Sequence, residues 1–360
     1  MREGECMTTP NVPDPEEHQV PSGFDPLDLL NRDLQDAART LGDLEVRYMV
    51  DAYYQWQDNR KISGNVVRSS RDEPEPNTLM GWLDAGNKRF EKNILKALDE
   101  YSNAKIPGAW AKSIFGIGPV IAAGLLAHIT IQECPTVGHI WRYAGLDPTS
   151  SWLGKEKAEK LVGAVVSGGP STQVTAEQLV EVANLSGRKL DRLHTQALNI
   201  PKVPVQNVTK GNLAKAVAKR PYNARLKVLC WKIGESFVKV CNNPKDIYGK
   251  VYTARKAYET AKNDALDYQD QAASKLARFN IGHDTDAYKY YSSGQLPPAQ
   301  IHARAQRYAT KLFLSHYHHV AYETHFGTPP PKPYILNQDG HTHFLAPPNW
   351  PMFDAKEEAA

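Results

Sequence analysis

The sequence holds few cysteines and no long apolar run, and both shortages exclude whole classes of protein. Its 360 residues include four cysteines, Cys6, Cys134, Cys230 and Cys241. They are too scattered for a Cys-x-x-Cys zinc site or a disulfide framework, which favours a reducing compartment. No apolar run free of charge reaches the ~18 residues of a membrane span, and the N-terminus lacks the apolar core of a signal peptide. We therefore expect a cytoplasmic protein.

Stretches of alternating β-branched residues, which would indicate a sheet, are also missing. Apolar residues recur instead at helical spacing, with polar residues on the opposite face. Two long helices are predicted at about 44–68 and 79–102, separated by the proline-containing break RDEPEPNT. Such a pair is typical either of a helical hairpin or coiled-coil arm, or of two helices packed on a globular core. The chain is predicted to be mainly α.

Charge is unevenly distributed along the chain. Residues 1–105 contain 13 Lys and Arg against 20 Asp and Glu, whereas residues 202–262 contain 14 Lys and Arg against three acids. The second segment, with a net charge of +11, makes a positive field that attracts polyanions. A solvated lysine-rich helix face is the alternative. The density of this charge favours contact with nucleic acid.

The stretch SIFGIGPVIAAGLLAHI (113–129) places a Gly-Ile-Gly-Pro turn before an apolar helix. Glycine permits a tight turn, and Pro119 suits the first position of a helix because its missing N–H needs no partner there. The next backbone N–H groups then point out of the helix start, where the helix dipole favours an anion. The alternative is a helical hairpin that binds nothing.

Two nucleotide-binding patterns are excluded at this turn. A Rossmann fingerprint needs a third glycine after a strand, and a Walker loop needs Gly-Lys-Ser/Thr. The remaining pattern is a helix-hairpin-helix, which holds backbone phosphates without reading bases. The predicted DNA-binding residues come from the turn and from the basic segment: Gly116, Ile117, Gly118, Val120, Ile121, Lys215, Lys219, Arg220, Asn223, Arg225 and Lys227.

Three motifs in this order resemble one known family. They are GIGPVIAAGLLAHI, then IWRYAGLDPTSS, then AKRPYNARLKVLCWKIGESF. Together they resemble the C-terminal, helix-hairpin-helix domain of insertion-sequence transposases of the IS 110 / IS 116 / IS 902 group. The resemblance covers about residues 106–262, and the helices before it are similar in position to the family's coiled-coil linker. The family's N-terminal RNase H-like catalytic domain is not recognised in this sequence.

The resemblance implies two kinds of chemistry. The family pairs an RNase H-like domain that binds Mg²⁺ with a serine nucleophile, and some members are directed by a structured RNA. By position the serine is Ser150 or Ser151; the alternative is that these serines cap a helix starting near Lys155. We expect no cofactor in this chain and Mg²⁺ only if a partner supplies it. Whether the protein is an enzyme stays open: a serine-dependent strand transferase would need an RNase H-like partner protein.

The histidine-rich C-terminal part offers a further candidate. His316, His319 and Glu323 share one predicted helical face, where they could bind a metal or simply pack. Aromatic residues such as Trp231 lie among the basic residues; stacking on bases is one interpretation, although Trp231 is expected in the core.

These observations predict four regions. They are a disordered tail (1–35), a helical arm (36–105), a transposase C-terminal-like helix-hairpin-helix domain (106–262) with an insertion at 155–210, and a helical extension with a Pro/His-rich tail (263–360). We expect a transposase-like DNA-binding protein of a mobile element, nucleoid-associated and a homo-oligomer through its arm. The alternatives are a non-catalytic accessory or regulatory nucleic-acid-binding protein, and a protein-interaction scaffold.

Overall fold

The structure, a computed structural model, describes residues 30–69, 78–148, 152–201, 204–331 and 345–351. Within these ranges the regular structure consists of fifteen α-helices, one 3-10 helix and a single isolated β-bridge. The prediction of a mainly α fold is confirmed. In the part described, every helix is too short or too polar to cross a membrane. The chain divides into two compact units, Met1–Ala104 and Lys105–Ala360.

The first unit overlaps the region predicted as a helical arm (36–105). It consists of α1 (Arg32–Arg39), α2 (Asp43–Ser69) and α3 (Thr78–Asn103). Helices α2 and α3 run antiparallel, because Arg60 pairs with Glu91 and Ser63 pairs with Asp84 farther toward the start of α3. The proline-containing break between them lies largely outside the described residues.

The second unit contains the remaining helices. Their bounds are α4 (Ile106–Ser113), α5 (Pro119–His128), a 3-10 helix (Ile131–Glu133), α6 (Val137–Tyr143), α7 (Gly154–Val165), α8 (Ala176–Ser186), α9 (Leu190–Leu198), α10 (Lys210–Ala218), α11 (Ala224–Val240), α12 (Tyr248–Asp264), α13 (Gln269–Arg278), α14 (Asp286–Ser292) and α15 (Pro298–Phe326).

The main core of this unit is aromatic and joins helices that are far apart in sequence. The Phe313 ring of α15 stacks on Trp110 of α4 at 5.8 Å between centroids and meets Phe237 of α11 edge-on at 5.6 Å. Tyr248 of α12 stacks on Phe237 at 4.9 Å. All four rings are fully buried, so the C-terminal helix α15 forms part of the same core as the glycine-containing turn.

A second apolar cluster fills the region of the predicted insertion. It includes Ala158 and Val162 of α7, Leu193 of α9, and Leu213 and Val217 of α10, each with no exposed surface. Because these residues pack mainly on one another, helices α7 to α10 form a core of their own.

The charged stretch 248–278 is divided between two helices: α12 ends at Asp264, Leu266 adopts a positive φ of 63°, and α13 begins only at Gln269. One prediction about the neighbouring helix α11 is wrong. Trp231, expected in the core, has 57% of its surface exposed because the buried side of α11 is formed by Leu226, Leu229, Ile233 and Phe237.

Candidate nucleic-acid interface

The Gly-Ile-Gly-Pro stretch forms a tight turn between α4 and α5. The Ile117 N–H donates to the Ile114 carbonyl at 3.0 Å. Gly116 has a φ of +92°, a conformation that disfavours any residue with a Cβ. Gly118 is the N-cap of α5 in extended conformation, and Pro119 is the first helical residue, as the sequence predicted.

The apolar side chains of the turn point into the main core. Ile114, Ile117, Ile121 and Leu125 are buried members of one cluster. Helix α5 packs closely on α11, because Gly124 has no side chain at the contact. A Cβ added to Gly124 would lie 2.8 Å from the Leu229 side chain. The side chains of Ile117, Val120 and Ile121 are therefore buried, so only their backbone can face a ligand.

The start of α5 has no side-chain cap in the structure. The first N–H groups of a helix have no intrahelical partner, and Gly118 has no side chain that could accept from them. A Cβ built on Gly118 meets nothing within 4 Å. The space beside Gly118 is thus open at the helix start, where the positive end of the helix dipole lies.

The other side of the turn is attached to α11. Ser236 Oγ donates a hydrogen bond to the Gly116 carbonyl. A Cβ on Gly116 would lie 3.1 Å from Val240 Cγ2. Since these contacts fix the Gly116 peptide, the turn is rigid where it adjoins the helix start.

The basic segment is concentrated where α10 ends and α11 begins. Arg220 lies over the Trp152 ring at 4.7 Å, and Lys227 lies over the Tyr222 ring at 4.3 Å. Both cations are exposed. Their aromatic partners hold the charged groups at the surface without neutralising them.

Asn223 has a structural role at the start of α11. Its Oδ1 accepts from the Arg225 and Leu226 amides at 3.0 and 3.1 Å, which caps the helix. Its Nδ2 donates to the Tyr143 hydroxyl at 2.9 Å. The Asn223 backbone N–H also donates to the Tyr143 carbonyl at 2.8 Å, next to the Ala-Gly-Leu-Asp-Pro turn (144–148). The two sequence motifs are therefore joined through this side chain.

The structure does not bring the glycine turn and the basic residues together. Gly116 contacts Val240 at the end of α11, whereas His128 at the end of α5 contacts Asn223 at the start of α11. Helices α5 and α11 therefore run antiparallel. At 1.5 Å per residue, the ten residues of α5 separate the two sites by about 15 Å.

Ser150 and Ser151 lie outside the described residues, so a nucleophilic role for either stays a prediction. The alternative role of these serines as a helix cap lies outside the described residues too; α7 begins at Gly154 with Leu153 at the N-cap. The adjacent Trp152 is hydrogen-bonded to the end of α10: its Nε1 donates to the Ala218 carbonyl at 2.8 Å, beside Arg220.

Sequence reasoning missed a group of cations on α15. Arg304, Arg307 and Lys311 follow one another at helical spacing i, i+3 and i+7, a signal already present in the sequence. Lys311 lies over the Trp141 ring at 4.9 Å. Burial lowers the pKa of Lys311, as does the nearby charge of Arg307, while Asp147 opposes the shift. Arg304 is paired with Glu259 at 2.6 Å, so the positive charge that approaches the Ala-Gly-Leu-Asp-Pro turn is that of Arg307 and Lys311.

The histidines of α15 have protein partners. The Tyr248 hydroxyl and His316 Nδ1 are 2.7 Å apart, and His316 Nε2 lies 2.9 Å from the Leu345 carbonyl. His319 pairs with Glu323 at 3.3 Å. Across the described ranges, no three His, Cys, Asp or Glu side chains are grouped as a metal site would require.

Comparison with known protein families gives a match over part of the second unit. The sequence model of the Transposase IS116/IS110/IS902 family matches residues 109–161, which include the glycine turn and the Ala-Gly-Leu-Asp-Pro turn. The resemblance predicted from these motifs is confirmed over this segment, and the match supports a transposase-like role. No curated protein and no solved structure matches the chain.

Proposed function

We propose that this protein holds nucleic acid by its backbone phosphates, in a transposase-like role. One observation carries the proposal: within the segment that matches transposases, α5 begins at an uncapped glycine with open space beside it. Backbone amides at such a helix start bind an anionic phosphate oxygen whatever the base sequence of the nucleic acid.

The basic end of α11 provides the second contact. Lys219, Arg220 and Lys227 are exposed cations, and Arg220 and Lys227 lie above aromatic rings. Because this end lies about 15 Å from the glycine turn along the ten residues of α5, the two contacts engage different phosphates. That separation suits an extended strand or a duplex.

Salt dependence of DNA binding tests this arrangement. Fluorescence anisotropy with a random-sequence duplex is expected to show affinity that falls steeply with salt, by about 0.9 in log–log slope for each phosphate neutralised. In the variant K219Q/R220Q/K227Q the slope is expected to become shallower by the amount that corresponds to two or three phosphates. The matched control K275Q/R278Q/K289Q removes the same charges from α13 and α14. An equal decrease of the slope in both variants would contradict a specific role for the start of α11.

We also propose that the arm joins two copies of the chain. In the half of the arm near the α2–α3 break, polar Ser63, Asp84 and Asn87 are buried. On the outside, Ile62 and Leu79 each have 64% of their surface exposed. A helical hairpin that forms one half of a larger bundle exposes apolar side chains where the other half would pack. A second arm would cover it.

Serine-dependent strand transfer is the second candidate function, and the family match favours it. The experiment incubates the protein with supercoiled DNA and Mg²⁺ and looks for a covalent protein–DNA adduct. An adduct that disappears in S150A/S151A supports strand transfer. DNA binding without an adduct supports the accessory role instead, with any cutting left to a partner.

A further inference from the structure

Trp231 lies on the surface of α11 without a protein partner. Its side chain keeps 57% of its surface exposed. Among the described residues its ring contacts no other ring and its Nε1 makes no hydrogen bond, whereas each of the other six tryptophans has a partner. Tryptophan is highly buried on average, so this ring is available to a ligand. The six partnered tryptophans are Trp56, Trp82, Trp110, Trp141, Trp152 and Trp350.

Positive charge surrounds this ring. Residues 219–234 include five Lys and Arg and no Asp or Glu. Lys227 precedes Trp231 by four residues, so the two side chains share one face of α11, about 6 Å apart along the helix axis. Glu235, the first acid after the ring, accepts a hydrogen bond from Gln306 Nε2 at 2.7 Å. The indole therefore lies in a field that attracts a polyanion.

The combination of exposed ring and cation is repeated at the start of α11. Arg220 lies over the Trp152 ring at 4.7 Å, and Trp152 keeps 46% of its surface exposed. Lys227 lies over the Tyr222 ring at 4.3 Å and is also one helical turn before Trp231. Aromatic rings and cations therefore alternate on this surface, which we call the aromatic-basic surface: Trp152, Arg220, Tyr222, Lys227 and Trp231.

Such a surface suits a partner that carries both flat rings and negative charge. Nucleic-acid bases stack on aromatic side chains, while lysine and arginine bind the phosphates that join them. In a duplex the faces of the bases are covered by the neighbouring base pairs, so an indole can stack only on a base that has left the helical stack. An acidic protein would pair with the cations, but it has no regular series of flat rings for the indole.

We propose that the aromatic-basic surface binds a single strand, with an unpaired base stacked on Trp231 and the adjoining phosphates at Lys227 and Arg220. The inference rests on the nucleic-acid function proposed above and makes it more specific. The glycine turn and the α11 cations contact phosphates in any form of nucleic acid, whereas Trp231 selects a region in which the bases are unpaired.

Fluorescence anisotropy with two labelled strands separates stacking from attraction by charge. One strand consists of twelve thymidines, and the other has the same twelve phosphates with abasic sugars. W231A is expected to bind the thymidine strand at least about fivefold more weakly than the wild type, because one stacked base is lost. W231F keeps an aromatic ring and should stay within about twofold. The abasic strand should bind W231A and the wild type equally.

F279A is the matched control. Phe279 has 56% of its surface exposed, and Lys275 lies 5.1 Å from the centre of its ring. Its removal from the end of α13 should change the affinity for the thymidine strand less than about twofold. Because Trp231 is exposed, W231A should shift the melting temperature by less than about 2 °C. A twelve-residue uridine strand, titrated alongside, distinguishes RNA from DNA as the strand that is bound more tightly.

Three results would overturn the proposal. The first is equal affinity of W231A and the wild type for the thymidine strand. The second is an equal loss of affinity for the thymidine and abasic strands in W231A, which would show that the ring does not act by stacking. The third is a wild type that binds polyglutamate more tightly than either strand and loses this binding in W231A, which would assign the surface to an acidic protein.

Failure of this inference is distinguishable from failure of the proposed function. W231A leaves every cation and the glycine turn in place, so its affinity for duplex DNA and the salt dependence of that affinity should equal those of the wild type. If the duplex binds as proposed while W231A changes nothing, only the stacking inference fails. Failure of the proposed function would instead abolish salt-dependent binding of the duplex in the wild type itself.

Discussion

The half of the arm near the α2–α3 break and the glycine-turn helix α5 bury different kinds of residue. In α5, every residue from Val120 to Leu125 is buried and each is apolar or glycine. In the arm, Asp84 and Glu91 are among the buried residues, whereas Trp82 and Leu83 keep 44% and 42% of their surface exposed. Helix α5 is thus part of an apolar core, whereas this half of the arm leaves large apolar side chains exposed; the other end of the arm buries Val46, Leu98 and Tyr101.

The difference is in how much apolar surface each region covers within the chain. Burial of apolar surface drives folding, and a polar interior instead specifies register through its hydrogen bonds. In the arm those bonds are present, with Ser63 Oγ donating to Asp84 at 2.8 Å and Arg60 paired to Glu91. In α5 the apolar side chains are covered within the chain, whereas the exposed apolar side chains of the arm would be covered by the proposed second copy.

The largest expected effect comes from removing one ring of the main core. Phe313→Ala deletes a fully buried ring that contacts Trp110, Phe237 and Tyr248, which should cost about 3–5 kcal/mol of unfolding free energy. Trp82→Ala, at low protein concentration, should cost under about 1 kcal/mol because the ring is half exposed. Urea denaturation measures both; equal costs would erase the distinction between the two regions.

The next effect concerns self-association. W82E/L83E places two charges on the exposed apolar side of the arm, where a second copy would have to bury them. Sedimentation equilibrium should show a dissociation constant raised at least a hundredfold over the wild type. V180E/L185E makes the same change on exposed apolar residues of α8. A wild type that stays monomeric at about 100 μM would contradict the proposed pairing of arms.

A third effect depends on pH and is confined to the second unit. Burial lowers the pKa of His316 to about 4, and burial also lowers that of His318. Between the ordinary histidine pKa of ~6.5 and about 4, the unfolded chain binds protons that the folded chain does not. The free energy of unfolding should therefore fall as pH drops from 6.5 to 4, by at most about 3 kcal/mol for His316.

Chemical denaturation at several pH values measures this slope. His316→Gln removes the titrating group, so the slope over this interval should become shallower. His318 keeps a smaller contribution of the same sign. A slope unchanged by the substitution would show that His316 protonates as readily in the folded chain as in the unfolded one.

The smallest effect is at the glycine turn itself. Gly116→Ala forces a Cβ into a φ of +92° and within 3.1 Å of Val240, which should cost about 1–2 kcal/mol. Gly118→Ala, at an extended and open position, should be neutral or slightly stabilising. Thermal unfolding compares the two; equal melting temperatures would mean that the turn relaxes freely.

Much of this architecture follows from local sequence patterns. The arm helices were predicted at 44–68 and 79–102 and lie at 43–69 and 78–103, because apolar periodicity and proline determine helix ends locally. Pro119 likewise predicted the start of α5. Tertiary packing decided the rest: Asn223 serves as a cap, Trp231 is exposed, and α5 pairs antiparallel with α11. The second apolar cluster could not be predicted, because Ala158 and Leu213 come together only when α7 packs on α10.

The central claim is that the start of α5 holds a phosphate, and Gly118→Asp tests it most directly. An aspartate at this open N-cap position satisfies the helix amides and places a negative charge where the phosphate would bind. The variant should unfold with the same or higher free energy than the wild type and bind duplex DNA at least tenfold more weakly, while Gly118→Ala keeps its affinity. Equal duplex affinity of the Asp and Ala variants would contradict the claim.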